Sequence, residues 1–362
     1  MKRIAIAIDH LAGGGAERVM LTLAQEFVAI GHEVHFLVMK DNADFIVPES
    51  IKVHTCFVGN HAKLLRRLRL GSAVRHLKAC IDNIESNVGD FDLFISNLDL
   101  TNYLMVHAKV RSLCVVVHAS VEEELRRHAR MGPLAYFKKL RAKKALNGQR
   151  LVAVSKGIAQ EIITKKRLHP ASLQTIYNPF EFEAIQTLAQ AEPSELPKED
   201  YLIHIGRFVK QKRHDVLFAA IAKMQQPIKV VLFCHKPDKA KALAREFNVE
   251  NRVIIKGFEI NPFPWIKNAK ALVLSSDFEG FGMVLVEALI CNTPVVSTDC
   301  PHGPKEILTG ALSHFLVPRR EPSLLAQKFD EVIVSPPDMN NIEILSRVKA
   351  NEIAKQYLEL CD

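Results

Sequence analysis

The chain has 362 residues, 48% of them hydrophobic and 24% charged, which favours a globular, soluble protein with two domains. No apolar run approaches the ~18 to 20 residues of a membrane span. The start, MKRIAIAID, runs into a strand pattern without a cleavage site, so we expect neither a membrane helix nor a signal peptide. Seven scattered cysteines without a C-x-x-C pair argue against a disulfide framework or a zinc site and favour a reducing cytoplasm.

Charge is unevenly distributed along the sequence. Residues 1–182 carry 26 Lys and Arg against 17 Asp and Glu, whereas residues 183–362 carry 22 against 23. The net charge of +8 therefore comes from the first half. We expect the two halves to meet different partners.

Short apolar segments alternate with longer helix-compatible stretches along both halves. The segments are rich in β-branched residues and continuous, as in parallel strands buried on both faces, and the spacers suit crossover helices. The predicted strands of the first half are RIAIAID, EVHFLVM, FDLFISN, LCVVVHAS, RLVAVS and QTIYN. Those of the second half are YLIHIGR, IKVVLFC, RVIIKGF, ALVLSS, TPVVSTD and HFLV.

This alternation predicts an α/β fold with two doubly wound parallel sheets. The pattern is lost in EFEAIQTLAQAEPSELPKED, which gains proline and acidic residues, so we place a linker at residues 183–198. The first domain then covers residues 1–182 and the second covers residues 199–345. Residues 346–362 are predicted to form a helix that packs back on the first domain.

A glycine-rich loop follows the first predicted strand. In DHLAGGGAERVM, Gly13, Gly14 and Gly15 permit close backbone approach where a helix begins, but they lack the G-x-G-x-x-G spacing of a dinucleotide site. The loop suits an anion or an acceptor molecule. Glu17 is interpreted as a first-turn residue favoured by the helix dipole rather than as a catalyst.

Polar side chains end three other predicted strands of the first half. His118 ends LCVVVHAS, Ser155 ends VAVS and Asn178 lies in IYNPF. Taken singly, each has a structural interpretation, as a core histidine, an N-cap and a turn residue. Their shared position at strand ends makes them candidates for a ligand site.

In the second half, YLIHIGRFVKQKRHD places Gly206 and Arg207 directly after a strand and Lys212 near the start of the next helix. Two cations beside a helix N-terminus make an anion clamp that suits a pyrophosphate, with arginine offering a bidentate fork. The alternative for Arg207 is a solvated loop residue.

The segment SSDFEGFGMVLVEALICNTPVV contains two carboxylates, Glu279 in a Gly-Phe-Gly turn and Glu287 among apolar residues of the following helix. Unpaired backbone N–H groups in such a turn suit a phosphate or a sugar hydroxyl. A buried carboxylate needs hydrogen-bond donors, and a ribose diol would supply two. The alternative for Glu287 is a cap or a pair with a lysine.

Taken together, these segments resemble the retaining glycosyltransferases of family 4, which have the GT-B fold of two facing Rossmann-like domains with a cleft between them. The most specific match is the Glu-x7-Glu motif from Glu279 to Glu287. The segments that stand in the order typical of the family are GGGAE, VVHAS, AVSKG, IYNPF, IGRFVKQKRHD, KGF, EGFGMVLVEAL, TPVVSTD and GPKEIL.

The resemblance implies roles for matching residues. It assigns the donor diphosphate to Arg207 and Lys212, the ribose to Glu287 and the transferring sugar to His118. The remaining residues that it implies around the donor or the acceptor are Gly14, Gly15, Asn178, Gly206, Phe258, Glu279, Gly280, Phe281 and Gly282. Arg207, Lys212, Glu279 and His118 would be the catalytic set.

The resemblance also implies the substrates. FISNLDLTN and CPHGPKEIL resemble family members that build lipopolysaccharide, capsule or lipid-linked oligosaccharides. They imply a UDP-hexose or UDP-N-acetylhexosamine donor, no other cofactor, no metal, and a saccharide acceptor on a lipid carrier or lipid A core. EINPFPWIKNAK, with two prolines and the only tryptophan, leaves the base specificity open.

Two alternatives belong to other functional classes. A nucleotide-sugar epimerase of GT-B type would bind the same donor, but it would be expected to place more acids and histidines in the cleft. A nucleic-acid-binding protein would suit the basic first half, yet aromatic residues are only 7% and no binding module is recognisable, so we expect no nucleic-acid partner.

Two basic segments of the first half predict attachment to an anionic membrane, at the inner face of the cytoplasmic membrane. The second, residues 125–150, has nine Lys and Arg and no acid, with Leu134, Phe137 and Leu140 on one side and Tyr136 beside them; Lys138, Lys139, Arg141, Lys143 and Lys144 are its predicted lipid contacts. The alternative is a solvated face or a grip on a phosphorylated acceptor. The first segment, residues 61–81, has Leu70, Val74, Leu77 and Ile81 on one helical face and carries Lys63, Arg66, Arg67, Arg69, Arg75 and Lys78.

Overall fold

The computed structural model describes residues 1–42, 45–65, 70–193 and 195–361. Contacts between Cα atoms divide the chain into two compact units. The first unit comprises the described residues of Met1–Phe180 and Val348–Asp362, and the second comprises those of Glu181–Arg347.

The first unit is built on a parallel sheet. Its described strands have the order β3-β2-β1-β4-β5-β6-β7, so the chain first moves outward on one side of β1 and then returns to build the other side. The strands are β1 (Arg3–Ile8), β2 (Glu33–Val38), β3 (Lys52–Thr55), β4 (Leu93–Asn97), β5 (Leu113–Val117), β6 (Arg150–Ala153) and β7 (Ser172–Thr175).

Helices connect these strands. Two of them begin at serine N-caps: the hydroxyl of Ser120 accepts from the Glu123 N–H at 3.0 Å, and that of Ser155 accepts from the Ile158 N–H at 3.2 Å. The helices are α1 (Gly15–Ala29), α2 (Leu70–Val88), α3 (Asp99–His107), α4 (Val121–Ala129), α5 (Pro133–Lys144) and α6 (Lys156–Lys165).

The second unit has a parallel sheet of the same design. The order of its described strands is β10-β9-β8-β11-β12-β13, with the reversal between β8 and β11. The strands are β8 (Tyr201–Ile205), β9 (Lys229–Phe233), β10 (Val253–Lys256), β11 (Ala271–Leu274), β12 (Val295–Thr298) and β13 (Leu316–Val317).

The helices of the second unit cover a core of buried aliphatic and aromatic side chains that includes Leu202, Phe218 and Phe329. No helix of either unit, within the residues described, is long and apolar enough to span a membrane. The helices are α7 (Phe182–Leu188), α8 (His214–Ile221), α9 (Pro237–Glu246), α10 (Phe263–Lys267), α11 (Met283–Ile290), α12 (Pro304–Ile307), α13 (Pro322–Val334) and α14 (Glu343–Arg347).

The last helix, α15 (Ala350–Leu358), belongs to the first unit and packs against α1. Backbone hydrogen bonds fasten its start: the Phe180 N–H donates to the Val348 carbonyl at 2.8 Å, and the Ala350 N–H donates to the Phe180 carbonyl at 3.1 Å. Ile353 and Tyr357 are buried. The C-terminal segment is therefore held by paired backbone and by an apolar helix face.

The prediction of an α/β fold with two doubly wound parallel sheets is confirmed. Strand β3 was not predicted, because it is a four-residue edge strand whose first residues are exposed and whose sequence, KVHT, is not an apolar run. Residues 183–198, predicted as a linker, are not all irregular. Helix α7 (Phe182–Leu188) covers the start of this segment and packs on α10 and α11, with Ile185 buried.

Candidate active site

Several of the predicted site residues lie at the points where the strand order of each sheet reverses, whereas His118, Asn178 and Phe258 follow β5, β7 and β10. In the first unit β1 and β4 are neighbours, and in the second unit β8 and β11 are neighbours. Connections from such a pair lead away in opposite directions, which leaves a crevice beyond the carboxyl ends of the strands. Gly14 follows β1, Arg207 follows β8 and Glu279 follows β11.

Lys212 forms an ion pair with Glu279. The Lys212 Nζ lies 2.7 Å from Oε1 of Glu279, and both side chains are largely buried, with 14% and 9% of their surface exposed. Arg207 is exposed, and its guanidinium forms no ion pair with a described residue. The predicted pair of cations therefore consists of one fixed charge and one that is open to a ligand.

Hydrogen bonds tie the loop after β8 to the loop after β11. The Ser275 hydroxyl donates to the Lys212 carbonyl at 2.7 Å, and the Asp277 N–H donates to the Gln211 carbonyl at 2.8 Å. The Gln211 side chain in turn donates to the Phe278 carbonyl at 2.8 Å. Lys212 and Glu279 are thus positioned by backbone as well as by their own contact.

Asp277 joins three arginines to this edge of the sheet. Its carboxylate accepts from Arg213 at 3.1 Å and from Arg320 at 2.9 Å, and its carbonyl accepts from Arg319 at 2.8 Å. Burial alone would raise the pKa of Asp277, but the Arg320 hydrogen bond and the Arg213 charge lower it. Sequence reasoning missed this cluster, because the four residues lie in three separate segments.

The Gly-Phe-Gly turn is fixed by its neighbours. Gly282 has φ of +96°, a conformation that favours glycine, and it is the N-cap of α11. A Cβ on Gly303 would lie 1.7 Å from the carbonyl oxygen of Phe281. The Glu279 N–H donates to the Pro301 carbonyl at 3.1 Å. The loop that contains residues 301–303 therefore packs directly against the turn.

Glu287 lies in the second turn of α11, and Gly280 and Phe281 lie in the turn that precedes this helix. The residue is buried, with 8% of its surface exposed. Burial, and then the negative charge of Glu287, raise the pKa of Cys291 to about 12. The carboxylate is thus surrounded by protein, as expected for a group that contacts a ligand or a fixed partner.

Two buried histidines lie beneath the Arg207 loop. His204 on β8 and His214 at the start of α8 meet edge to face, with ring centroids 5.1 Å apart. Burial, and then neighbouring positive charge, lower the pKa of His204 well below its usual value and that of His214 to about 4. A Cβ on Gly206 would lie 3.4 Å from both His204 Nε2 and the Lys212 side chain. Glycine at 206 therefore lets the neutral pair and the lysine stem pack closely.

In the first unit, the glycine loop is covered by a carboxylate. A Cβ on Gly14 would lie 1.9 Å from an oxygen of Glu17, whereas a Cβ on Gly15 would meet nothing within 4 Å. Glu17 is buried and lies 3.3 Å from Nδ1 of His10. A side chain at position 14 would therefore displace the flexible Glu17 carboxylate, whereas position 15 is open.

His118 is held by an asparagine that sequence reasoning did not identify. The Asn97 amide donates to the carbonyls of Ala7 and Ile95, each at 3.2 Å, so its Oδ1 is the acceptor for His118 Nε2 at 2.8 Å. Burial, and then the charge of Lys143, lower the pKa of His118 to about 4. The ring is neutral near pH 7, and Nδ1 carries the lone pair. The position of Asn97 at the end of a predicted strand was the available signal.

Two further candidates have different surroundings. Asn178 is buried in the segment after β7. Phe258 is 80% exposed at a cavity of about 320 Å³ in the second unit, which Lys256, Gly257 and Trp265 also line. Trp265 is buried, with its ring edge to face against Phe233 at 5.3 Å. Trp265, which lies in the EINPFPWIKNAK segment that left the base specificity open, is therefore part of the wall of this cavity.

The second unit thus brings Gly206, Lys212 and Glu279 together at one sheet edge. Phe258 contributes to a separate cavity of the same unit. Among the residues that the structure describes, no three or more His, Cys, Asp or Glu side chains are arranged to hold a metal ion. The sheet edge of the second unit offers one fixed lysine, one exposed arginine and two buried carboxylates.

These features define a class of protein. Two doubly wound sheets with polar residues at both reversals, and a cationic glycine-rich edge in the second, are elements of a glycosyltransferase of GT-B fold. A family model described as "Glycosyltransferase Family 4" matches residues 13–183, and one described as "Glycosyl transferases group 1" matches residues 186–348. The chain belongs to this family of glycosyltransferases.

Relatives and solved structures agree with this assignment. The chain is 27% identical over 316 residues to the N-acetylgalactosamine-N,N'-diacetylbacillosaminyl-diphospho-undecaprenol 4-alpha-N-acetylgalactosaminyltransferase of Campylobacter jejuni, covering 85% of this chain and 83% of that one. The lipopolysaccharide outer core galactosyltransferase WaaB, in its apo form, has a TM-score of 0.73 at 21% identity, covering 99% of each chain. Anabaena Alr3699/HepE in complex with UDP and glucose has a TM-score of 0.74 at 19% identity, also covering 99% of each chain. At these identities the two structures show the fold.

Proposed function

We propose that the protein transfers a hexose or N-acetylhexosamine from a UDP-sugar to a saccharide carried on a lipid, with retention of configuration and without a metal ion. The observation that carries this proposal is the edge formed by the loops after β8 and β11, where Lys212 is paired with Glu279 and Arg207 is open. The relative that makes an undecaprenol-linked product and the neighbour that binds UDP support the choice of acceptor and donor.

Arg207 and Lys212 act on the leaving group. As the bond between the sugar and the diphosphate breaks, negative charge grows on the phosphate next to the sugar, and fixed cations stabilise that charge more in the transition state than in the ground state. Glu279 holds Lys212 at 2.7 Å before substrate arrives, so little reorganisation is needed. Arg207 offers the diphosphate a planar pair of donors.

The remaining donor contacts follow from the same edge. Glu287 binds the ribose hydroxyls, and the turn that contains Gly280, Phe281 and Gly282 contacts the sugar and the outer phosphate. The cavity lined by Phe258 and Trp265 accepts the base of the nucleotide. The sheet edge and this cavity are thus the two parts of the second unit that bind the donor.

In the first unit, the acceptor and the transferring sugar are bound by hydroxyl-selective groups. The Glu17 carboxylate over Gly14 disfavours a second phosphate there and accepts hydrogen bonds from hydroxyl groups instead. Gly15 leaves room for the acceptor, and the lone pair of His118 Nδ1 accepts from a hydroxyl of the transferring sugar. Asn178 is a further residue of the first unit that contacts the acceptor or the transferring sugar.

The retaining mechanism that suits this arrangement is attack on the face from which the phosphate leaves. The departing phosphate takes the proton of the acceptor hydroxyl, and the new bond forms on the same face of an oxocarbenium-like sugar. Glu279 is engaged with Lys212, so it acts as a positioning residue rather than as a nucleophile. The proposed site of action is the cytoplasmic face of the inner membrane.

The test is a donor screen with UDP-, GDP- and dTDP-sugars, each with an undecaprenyl-diphosphate-linked saccharide and with excess EDTA. We expect transfer from a UDP-sugar at an unchanged rate in EDTA, and an α-linked product from an α-linked donor by NMR. Transfer only from another nucleotide, loss of rate in EDTA or an inverted product would each refute the corresponding part of the proposal. Incubation of the donor alone separates transfer from epimerisation, since an epimerase would produce an isomer without acceptor.

A further inference from the structure

The hairpin formed by α4 and α5 exposes three large apolar side chains. Met131, in the turn between the helices, is 71% exposed, Leu134 in the first turn of α5 is 70% exposed and Phe137 in the next turn is 63% exposed. Leu134 and Phe137 are three residues apart, so they lie on one face of the helix. We call these three residues the apolar tip.

Exposed cations surround the apolar tip. Lys138, Arg141 and Lys144 are spaced three residues apart along α5, and Lys138 and Arg141 lie four residues after Leu134 and Phe137. These cations therefore share the exposed face of the helix with the apolar tip. Two more exposed cations, Arg127 and Arg130, lie nearby. None of these five cations forms an ion pair with a described residue, and residues 125–150 contain no acid. We call these five residues the basic rim: Arg127, Arg130, Lys138, Arg141 and Lys144.

The opposite face of α5 is fastened to the unit by charge. Lys143 lies 2.8 Å from Asp99 and 2.6 Å from Glu124, and Lys139 contacts the same two carboxylates. Both lysines are less than 10% exposed. Burial alone would raise the pKa of Asp99, but the two lysines lower it to about 2. These four charges fix the rotation of α5 and thereby keep the apolar tip outward.

This division corrects the expectation from sequence, which treated Lys139 and Lys143 as lipid contacts. The expectation that the first basic segment, residues 61–81, presents its apolar face to a membrane is corrected as well. Leu77 and Ile81 of α2 are buried within the unit, so the apolar face of α2 is not available to a membrane. Arg66, Arg67 and Arg69 of that segment lie outside the described residues.

We propose that the apolar tip and the basic rim form a docking surface for an anionic lipid bilayer. The tip enters the boundary between headgroups and acyl chains, and the rim contacts lipid phosphates. The helix α4 begins at Val121, three residues after His118, so the hairpin leaves the sheet at the edge that carries the candidate site of this unit. The docking surface goes beyond the proposed function and does not depend on the identity of the sugar or nucleotide.

The chemistry of the surface favours a bilayer over other occupants. A second copy of this chain would bring the two basic rims together and would be repelled. A nucleic acid would use the rim but would leave Met131, Leu134 and Phe137 exposed, since no aromatic side chains other than Phe137 and the half-buried Tyr136 are available for stacking on α5. An anionic bilayer satisfies both parts of the surface.

The experiment uses the full chain and vesicles of phosphatidylethanolamine with or without phosphatidylglycerol. One variant changes Met131, Leu134 and Phe137 to Ser, and a second changes Arg130, Lys138, Arg141 and Lys144 to Gln. The matched control changes Lys236, Lys239, Lys241 and Arg245 to Gln; these are four exposed cations at or on α9 of the second unit, without large exposed apolar neighbours among the described residues.

We expect co-sedimentation only with vesicles that contain phosphatidylglycerol, weakening as salt is added. Each tip or rim variant should lower the partition coefficient by about tenfold, whereas the control should remain within about twofold of wild type. Circular dichroism and melting of each variant establish that it is folded.

Equal losses in the rim variant and in the control would mean non-specific attraction to net charge and would overturn the proposal. Unchanged binding of the tip variant would overturn it as well. A wild-type dimer in sedimentation that the tip variant converts to monomer would assign the surface to a second copy instead. Since no substrate is present, these outcomes are independent of whether the proposed transfer reaction is correct.

Discussion

The strand reversal of the first unit and that of the second have the same backbone design but opposite side-chain charge. In the first unit, the loop after β1 leads into α1, and β1 has β4 as its neighbour. In the second unit, the loop after β8 leads into α8, and β8 has β11 as its neighbour. The loop of the first unit is covered by the carboxylate of Glu17, whereas that of the second presents Arg207 and holds Lys212. Parallel sheets supply the crevice and the backbone donors, and the side chains decide whether an anion or a hydroxyl is bound there.

The comparison also concerns two histidines, the half-buried His118 of the first unit and the buried His204 of the second. His118 in the first unit is fixed by an asparagine and keeps a lone pair for a ligand. His204 in the second unit donates to the carbonyl of Val273 at 2.8 Å and packs under Gly206. Both are neutral near pH 7, yet the proposed function gives His118 a substrate contact and His204 a packing role.

The largest expected effect comes from removing the cations of the second unit. Arg207→Ala and Lys212→Ala should each lower kcat/KM by roughly tenfold to a thousandfold, as for the loss of one group that stabilises developing charge. Steady-state kinetics with the donor and the acceptor measure this. Lys210→Ala, an exposed neighbour on the same loop, is the control and should be nearly normal. Near-normal turnover in both site variants would remove the anion clamp from the mechanism.

Glu287→Gln is expected to weaken donor binding by about 1 to 3 kcal/mol, because a neutral amide replaces a charged acceptor of ribose hydroxyls. The shape is kept, so the melting temperature without donor should change little. Calorimetric titration with UDP and thermal melting measure the two quantities. If melting collapses while UDP affinity is kept, Glu287 serves the packing of α11 and not the ribose.

A third prediction uses pH to compare the two units. His118 is neutral in the folded protein down to about pH 4, but in the unfolded chain it gains a proton below its ordinary pKa of 6.5. The unfolded state therefore binds more protons between these values, and stability is lost as pH falls from about 6.5 towards 4. His118→Asn should reduce the loss of unfolding free energy between near pH 7 and near pH 5 by about 1 to 2 kcal/mol.

Urea denaturation at the two pH values checks this prediction. The loss that remains in His118→Asn should include the buried histidines of the second unit, since His214 is also neutral down to about pH 4. An identical pH dependence in wild type and variant would show that His118 is not held neutral by the fold.

The smallest effect is expected from a matched pair of glycine substitutions in the first unit. Gly14→Ala displaces the Glu17 carboxylate from its place beside His10 and should lower the unfolding free energy by about 1 kcal/mol. Gly15→Ala meets no protein atom and should leave stability unchanged. If Gly15→Ala nevertheless raises the acceptor KM, the acceptor contacts this loop; unchanged kinetics would place the acceptor elsewhere.

The fold was predictable because buried parallel strands have a strong local signal. RIAIAID and LCVVVHAS are continuous apolar runs that end in a polar residue, and that pattern specifies both a strand and the edge at which its functional residue lies. Strand β3 lacked the signal, and helix α7 was hidden by the proline-rich and acidic residues that follow it.

The sequence by itself determined the two sheets, the candidate residues at their strand ends and the excess of positive charge in the first half. Only the tertiary structure decided which charges are free. Lys212, Lys139 and Lys143 are paired with carboxylates that lie 67, 40 and 44 residues away, whereas Arg207 and the basic rim are exposed and pair with no carboxylate in the part of the chain that the structure describes. Charge pairing depends on distances between side chains from separate elements, and the packing of the helices on the sheet sets those distances.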